Sequence, residues 1–254
     1  MKVVLVGYGR MGHEVADALR RRGHELLASV DPKHPEATHR SVVEAPITEA
    51  EAVIEFSLAE AVAENARLYA EAGVPAVVGT TGWAKQEGDV RAAVESGGIG
   101  YLTGANFSIG ANLFMILAEE AGRLINGLEE YDPILCEYHH AGKADSPSGT
   151  ALRTAEGILR TVDRKKRIQT ESLHRKVEPE ELHVASVRGG SIPGTHTLTL
   201  DSAADSIEIT HRARGRSGFA DGAVRGAEWI RGKKGFFTVD EFLQELMNRK
   251  GGVE

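Results

Sequence analysis

The densest run of groups able to do acid–base or anion-binding chemistry is Glu137-Tyr138-His139-His140-Ala141-Gly142-Lys143-Ala144-Asp145-Ser146-Pro147-Ser148-Gly149-Thr150. It follows a strand-like stretch and runs into a helix start. His139 or His140 suits a proton donor, because imidazole is the side chain whose ordinary pKa lies nearest neutrality. Lys143 would bring positive charge to a centre that gathers electrons. Ser148-Gly149-Thr150, at a helix N-terminus, would offer backbone N–H groups and a hydroxyl to a carboxylate. Two other readings stand beside this one. His139, His140 and Asp145 could ligate a metal, or the run could be a hydrated loop in which Pro147 and Gly149 only start the helix. Neighbouring strand residues point to opposite faces, and a lysine in the middle does not help a cation, so the expectation is no metal.

A second constellation lies at the start of the chain. Gly7-Tyr8-Gly9-Arg10-Met11-Gly12 is G-x-G-x-x-G, preceded by the apolar strand Lys2–Val6 and followed by a helical pattern. Gly7 would permit the tight turn, Gly9 the approach of backbone N–H groups to a pyrophosphate, and Gly12 close packing of helix on strand. Asp31 closes the next strand 19 residues beyond Gly12, where the ribose-binding acid is expected. Together these predict a Rossmann-type dinucleotide site. A carboxylate at Asp31 favours NAD, while Lys33 and His34 could offset its repulsion of a 2′-phosphate, so NADH and NADPH both remain open.

The elements that must position these groups change character along the chain. Up to about residue 108, short apolar runs (Glu25–Asp31, Ala52–Phe56, Val74–Val78, Gly100–Thr103) alternate with helical spacings, the habit of a parallel sheet with crossover helices. Ser57 and Glu60 read as a capping box opening a helix that Gly73 ends. Beyond it come a long helix, Ile109 to about Ile125, a strand at Pro133–His139 and a helix from Gly149. Three strands then follow without helices between them, at Leu182–Arg188, Thr195–Asp201 and Ser206–Arg212, which predicts a mixed or antiparallel sheet. On the strand at Pro133–His139, Cys136 is expected to alternate inward with Ile134. Helices at Ala220–Arg231 and Asp240–Arg249 finish the pattern, the second opened by a Thr238/Glu241 box, with residues from Gly251 onward expected to fray.

Composition narrows the functional classes. A net charge of −7 argues against a general nucleic-acid binder, and the basic cluster Arg164-Lys165-Lys166-Arg167 has no interleaved aromatics and is followed by glutamates. The longest strictly apolar run, Leu113 to Ala118, is six residues, so no membrane span is expected. The opening MKVVLVG runs straight into a patterned strand, giving no sign of a signal peptide. A single cysteine excludes an internal disulfide framework and fits a reducing, cytoplasmic setting.

The stretch Glu137–Ala151, E-x-H-H-x-x-K-x-D-S-P-S-G-T-A, resembles the signature of the dihydrodipicolinate reductases of bacterial lysine and diaminopimelate synthesis. The family usually has Ala where Ser146 stands. The resemblance covers essentially the whole chain through Gly9-Arg10-Met11-Gly12, Glu55-Phe56-Ser57, Gly79-Thr80-Thr81-Gly82, Ala105-Asn106-Phe107-Ser108-Ile109-Gly110, Arg188-Gly189-Gly190, Gly194-Thr195-His196 and Ile207-Glu208-Ile209-Thr210-His211. It implies a dinucleotide-binding domain from about 1–108 and 217–254, and an α+β substrate-binding and oligomerisation domain with a mixed sheet at 109–216. It implies NAD(P)H-dependent reduction of a small cyclic dicarboxylate by a homotetramer. Position by position, His139 and Lys143 match the family's proton donors, and His140, Gly149 and Thr150 its substrate contacts. Gly7, Tyr8, Gly9, Arg10, Met11, Gly12, Asp31, Gly79, Thr80, Thr81, Gly104, Ala105, Asn106 and Phe107 match its cofactor contacts. One departure is the glycine loop, in which many members carry one more residue. A nicotinamide-sensing regulatory module and another small dehydrogenase, acting on an amino or hydroxy acid such as aspartate, are the competing readings.

Overall fold

The computed structural model describes residues 1–248. In chain order the elements begin with β1 (Lys2–Val6), α1 (Arg10–Arg21), β2 (Glu25–Val30), β3 (Ala52–Glu55), α2 (Val62–Ala72), β4 (Ala76–Val78), α3 (Glu87–Gly97) and β5 (Gly100–Thr103). They continue with α4 (Ile109–Ile125), β6 (Asp132–His139), α5 (Gly149–Thr161), β7 (Arg167–Gln169), β8 (Glu181–Arg188), β9 (Thr195–Asp201) and β10 (Ser206–Arg212). The last are α6 (Ser217–Ile230), β11 (Gly235–Thr238) and α7 (Val239–Asn248). The chain divides into two compact units, one of Met1–Ile109 with the chain from Arg216 onward, the other of Gly110–Gly215. Arg249 and the expected fraying after Gly251 lie outside the described residues.

The first unit holds a six-stranded sheet in the order β11-β5-β4-β3-β1-β2, with every adjacent pair parallel. Its strands are apolar on both faces because helices cover both, as parallel sheets require. Val3, Leu5 and Ile54 pack with Val15, Leu19 and Val224 on one side. Val4, Val53 and Val78 pack with Tyr69, Val90 and Val94 on the other. All strands run the same way, so the loops after β1 to β5 gather along one edge of the sheet. Gly73 ends α2 in the left-handed conformation (φ 70°), and Thr238 with Glu241 caps α7 reciprocally, both as the sequence predicts.

The Ser57 capping box does not form. α2 begins only at Val62, with no side-chain cap, after a single tight turn at Ala59–Ala61. The Ser57 hydroxyl donates instead to the Glu55 carboxylate, which also accepts from Asn65 Nδ2 at 2.8 Å and Tyr69 Oη at 2.9 Å. Glu55 is completely buried, and burial pushes its carboxyl above the usual range against the pull of those donors. A buried carboxylate short of donors outbids a helix end that water can satisfy.

The second unit holds a five-stranded mixed sheet in the order β10-β9-β6-β8-β7, with β10/β9 and β9/β6 antiparallel and β6/β8 and β8/β7 parallel. Phe114 and Ala118 of α4 and Ala155 and Ile158 of α5 pack on Leu135, Val184 and Leu198. The inward residues of β6 are therefore Pro133, Leu135, Glu137 and His139. Ile134 and Cys136 lie on the opposite face, the reverse of the sequence reading. Ile134, Tyr138 and Val187 stand 39, 40 and 45 % exposed on that outer face. Two short strands, β7 starting at the last residue of the basic cluster and β11, escape the sequence reading altogether.

Gly222 on α6 lies so close to the loop after β5 that a Cβ there would stand 1.8 Å from the Phe107 carbonyl oxygen. Gly222→Ala should therefore lower stability by about 1–3 kcal/mol through overpacking. Its urea midpoint should fall, and an unchanged midpoint would contradict this packing.

Candidate active site

In the first unit, the predicted cofactor residues come from one edge of the parallel sheet. Gly7 follows β1, Asp31 follows β2, Gly79, Thr80 and Thr81 follow β4, and Gly104, Ala105, Asn106 and Phe107 follow β5. Gly7 and Gly12 hold the positions that their turn and packing roles need. Gly7 has φ 89° and a Cβ there would strike the Phe56 carbonyl oxygen at 2.0 Å. A Cβ on Gly12 would meet the Gly7 carbonyl oxygen at 2.4 Å, so helix and strand pack closely. Gly9 faces open space and begins α1 without a side-chain cap. Tyr8, Arg10 and Met11 complete this first turn, whose outward N–H groups suit an anion. β1 lies between β2 and β3, so Gly7 meets Phe56 where the chain reverses its direction across the sheet, the usual crevice for a dinucleotide.

A cavity of about 570 Å³ opens along this edge, lined by Gly7, Gly9, Asp31, His34, Arg40 and Ser57 among others. Asp31 accepts from the backbone N–H groups of Tyr8 at 3.0 Å, Lys33 at 2.9 Å and His34 at 2.9 Å. Burial would raise its carboxyl, but these three donors win and hold it below the usual range. The acid thus ties the glycine loop to the turn after β2. Thr80 Oγ1 accepts from Ser57 N–H at 2.8 Å, joining the loops after β3 and β4. Arg40 was not singled out from sequence, since it lies in no motif with fixed spacing, and Ser57 was read only as a helix cap and as part of the family resemblance.

In the second unit, the inner face of the mixed sheet is apolar at Leu135 and turns polar one pair further on. There the cross-strand register sets Ser186, Glu137, His196 and His211 in one row and pairs His139 with Arg188 in the next. Glu137 is fully buried. Its Oε1 accepts from Ser148 N–H at 2.8 Å, Ser186 Oγ at 3.0 Å and Arg188 Nη2 at 2.7 Å, and its Oε2 from the Ser148 hydroxyl. His196 Nε2 lies 3.3 Å from Glu137 Oε2 and 3.2 Å from Ser148 Oγ. The Ser148 proton is already given to Glu137, so His196 must carry its hydrogen on Nε2. Burial works to raise the Glu137 carboxyl, but His196, Ser148 and Arg188 hold it far below the usual carboxylate range. Neither Glu137 nor His196 had a role from sequence.

Ser148 also accepts from Ala151 N–H at 3.2 Å as the N-cap of α5. Gly149 and Thr150 are the first two helical positions, and a Cβ on Gly149 would meet nothing within 4 Å. His139 is 6 % exposed, with Nδ1 3.3 Å from Glu137 Oε2 but off the line of a hydrogen bond. Burial pushes its imidazole down to about 4, with Glu137 pulling the other way and the nearby Lys143 and Arg188 charges acting with burial. Lys143 Nζ donates to Asp145 Oδ1 at 2.6 Å, and Arg188 Nη2 holds the Asp145 carbonyl at 2.6 Å. His140 follows the end of β6, and its carbonyl accepts from Lys143 N–H at 3.1 Å. His139, Lys143, His140, Gly149 and Thr150 are thus all in this unit around one polar end of the sheet.

A parallel dinucleotide-type sheet with a glycine cradle, and a buried imidazole beside a helix N-terminus, define an α/β reductase. Comparison with known proteins narrows this. The dihydrodipicolinate reductase N-terminal family matches residues 1–107 and the C-terminal family of the same enzyme residues 110–243. The 4-hydroxy-tetrahydrodipicolinate reductase of Christiangramia forsetii is 34 % identical over 97 % of this chain and 99 % of its own. That of Methanoregula boonei is 35 % identical over 95 % of this chain and 97 % of its own. A dipicolinate-bound dihydrodipicolinate reductase from Paenisporosarcina shares the fold, with a TM-score of 0.76 at 22 % identity, covering 94 % of this chain and 97 % of that one. The chain belongs to the dihydrodipicolinate reductase family.

The His139 environment has a measurable consequence. A histidine whose folded pKa lies below its unfolded value contributes stability above about pH 6.5, lost as pH falls toward 4. In an NMR titration the His139 ring should titrate near 4. His139→Asn should flatten the fall in stability between pH 6.5 and 4. A midpoint at or above 6.5 would contradict the burial of an uncharged ring.

Proposed function

We propose that the protein catalyses NAD(P)H-dependent reduction of 4-hydroxy-tetrahydrodipicolinate to tetrahydrodipicolinate, in the diaminopimelate route to lysine. The first unit is the dinucleotide-binding domain and the second the substrate-binding and oligomerisation domain. The observation that carries the mechanism is the uncharged, buried His139 imidazole beside the α5 N-terminus that Glu137 holds.

The cradle fits a dinucleotide, since Gly9 leaves room above the first turn of α1 where a side chain would stand in the way. Gly7–Gly12 would hold the pyrophosphate, Asp31 the adenosine ribose, and Gly79–Thr81 with Gly104–Phe107 the nicotinamide half. When bound, the reduced nicotinamide supplies a hydride. Everything else falls to the chain. The substrate is a dianion, and its carboxylates are met by the Gly149 and Thr150 end of α5, by His140 and by Lys143. Those negative charges raise the pKa of His139, which then takes up a proton it lacks in the free protein. As the conjugated ring gains the hydride it becomes electron-rich, and His139 returns that proton to it with Lys143 assisting. The 4-hydroxyl leaves with a hydrogen from the neighbouring ring carbon as water, which makes the conjugated ring, and one hydride and one proton are then added to it. Glu137 stays ionised throughout and balances the imidazolium.

The outer face of the mixed sheet, with Ile134, Tyr138 and Val187 exposed, supports assembly of the second unit into a homotetramer. No described helix is long and apolar enough to cross a membrane, and with the single cysteine this supports a cytoplasmic setting.

The test is loss of reduced-nicotinamide absorbance when the purified protein meets fresh dihydrodipicolinate synthase product, with NADH and NADPH run separately. Oxidation should depend on that product. His139→Asn should lower kcat by roughly 10²–10⁴-fold with cofactor affinity kept, as for loss of a proton donor. Oxidation with aspartate instead, or none with either cofactor, would contradict the assignment.

A further inference from the structure

At the rim of the cofactor site, His13, His34 and Glu36 bring two imidazole nitrogens and a carboxylate oxygen within 4.8 Å of one another. His13 stands in the first turn of α1, and His34 and Glu36 in the turn after β2. All three belong to the first unit. The geometry points to a site for a divalent cation of the zinc class at the rim of the glycine loop.

Three features carry this. First, the His13 tautomer is set: Nδ1 lies 3.1 Å from the Gly9 carbonyl oxygen, which can only accept, so Nδ1 carries the hydrogen. In the neutral ring the Nε2 lone pair then faces the Glu36 Oε2 at 3.1 Å, two electron-rich atoms aimed at each other. Only a proton or a cation between them makes that contact favourable. An imidazole that donates one N–H to a backbone carbonyl and offers its other nitrogen is also the usual arrangement of a metal-bound histidine. Second, the spacing fits. Tetrahedral zinc with bonds of about 2.0–2.2 Å sets two ligand atoms about 3.4 Å apart, close to the 3.1 Å between His13 Nε2 and Glu36 Oε2, with a His34 nitrogen within 4.8 Å of both. Third, His34 has capacity to spare, since its Nδ1 is buried with no hydrogen-bond partner.

The surroundings hold the ligands in place. The Tyr8 ring packs against both imidazoles, with centroids 4.5 Å from His13 and 5.6 Å from His34. His13 and Glu36 keep 42 and 69 % of their side chains exposed, which leaves an entry path and a fourth position for water. Two imidazoles and one carboxylate suit zinc better than magnesium or calcium, which take oxygen ligands. An ion here would clip α1 to the turn after β2. His34 also lines the dinucleotide cavity, so the ion would stand at the wall of the cofactor site.

The experiment is titration of the metal-free full chain with Zn²⁺ against a chromophoric chelator, and with Co²⁺ followed by its visible absorption. The same titrations are run on His13→Gln, His34→Gln and the double variant. One equivalent of Zn²⁺ should bind in the wild type and be lost in the double variant. Each single variant should weaken it at least tenfold, and the Co²⁺ bands should show nitrogen and oxygen ligation that the double variant lacks. Circular dichroism confirms that the variants are folded. Equal zinc uptake by wild type and double variant would overturn the proposal. So would no uptake by the wild type, which would leave a proton as the only bridge between His13 and Glu36.

Discussion

The buried carboxylate of Glu137 is the interaction on which the catalytic half of the molecule depends. A lone carboxylate taken out of water is costly, and it is tolerated only with its lone pairs used and its charge balanced. Here Ser148, Ser186, Arg188 and His196 supply that balance, drawn from the α5 N-cap, from β8 and from β9. One ion therefore fixes the start of α5, the end of β8 and the tautomer of the ring on β9. His139, one pair along the same strand, inherits a surface that is buried, electrostatically divided and rigid.

That arrangement explains how one face of a sheet can be core at one end and active site at the other. Leu135, Val184 and Leu198 form a row against α4 and α5. Two residues on, the same alternation delivers Glu137, Ser186 and His196. Strand periodicity thus carries function out of the core without a change of backbone. On the nucleotide side the equivalent device is the parallel sheet, which collects five loops at one edge. Asp31 then locks two of them together through three backbone donors.

Much of this was legible in the residues. The glycine cradle could be read because Gly7 and Gly12 answer steric demands that no other residue meets. The bounds of α4, β9 and β10 could be read because long periodic runs speak clearly. Cys136 and Ile134 misled for a physical reason: hydrophobicity says inward, but a one-residue change of phase exchanges the faces, and the polar residues took the buried one. Ser57 misled because a capping box is a local signal, and the demand of buried Glu55 is not local. β7 and β11 carry only one and two apolar residues, Ile168 and Phe236 with Phe237, too few for a pattern to stand out. The partners of Glu137 were illegible because Ser186, Arg188 and His196 lie 49 to 59 residues away and meet it only through sheet register.

The most direct test of Glu137 as organiser is a double-mutant cycle on unfolding free energy with Glu137→Gln, Arg188→Met and the pair. Removing either partner alone leaves the other buried and uncompensated, at a cost of about 3–5 kcal/mol. Removing both should cost less than the sum, with a coupling of about 2 kcal/mol or more. Effects that add to within about 0.5 kcal/mol would contradict the account, because the two residues would then act independently.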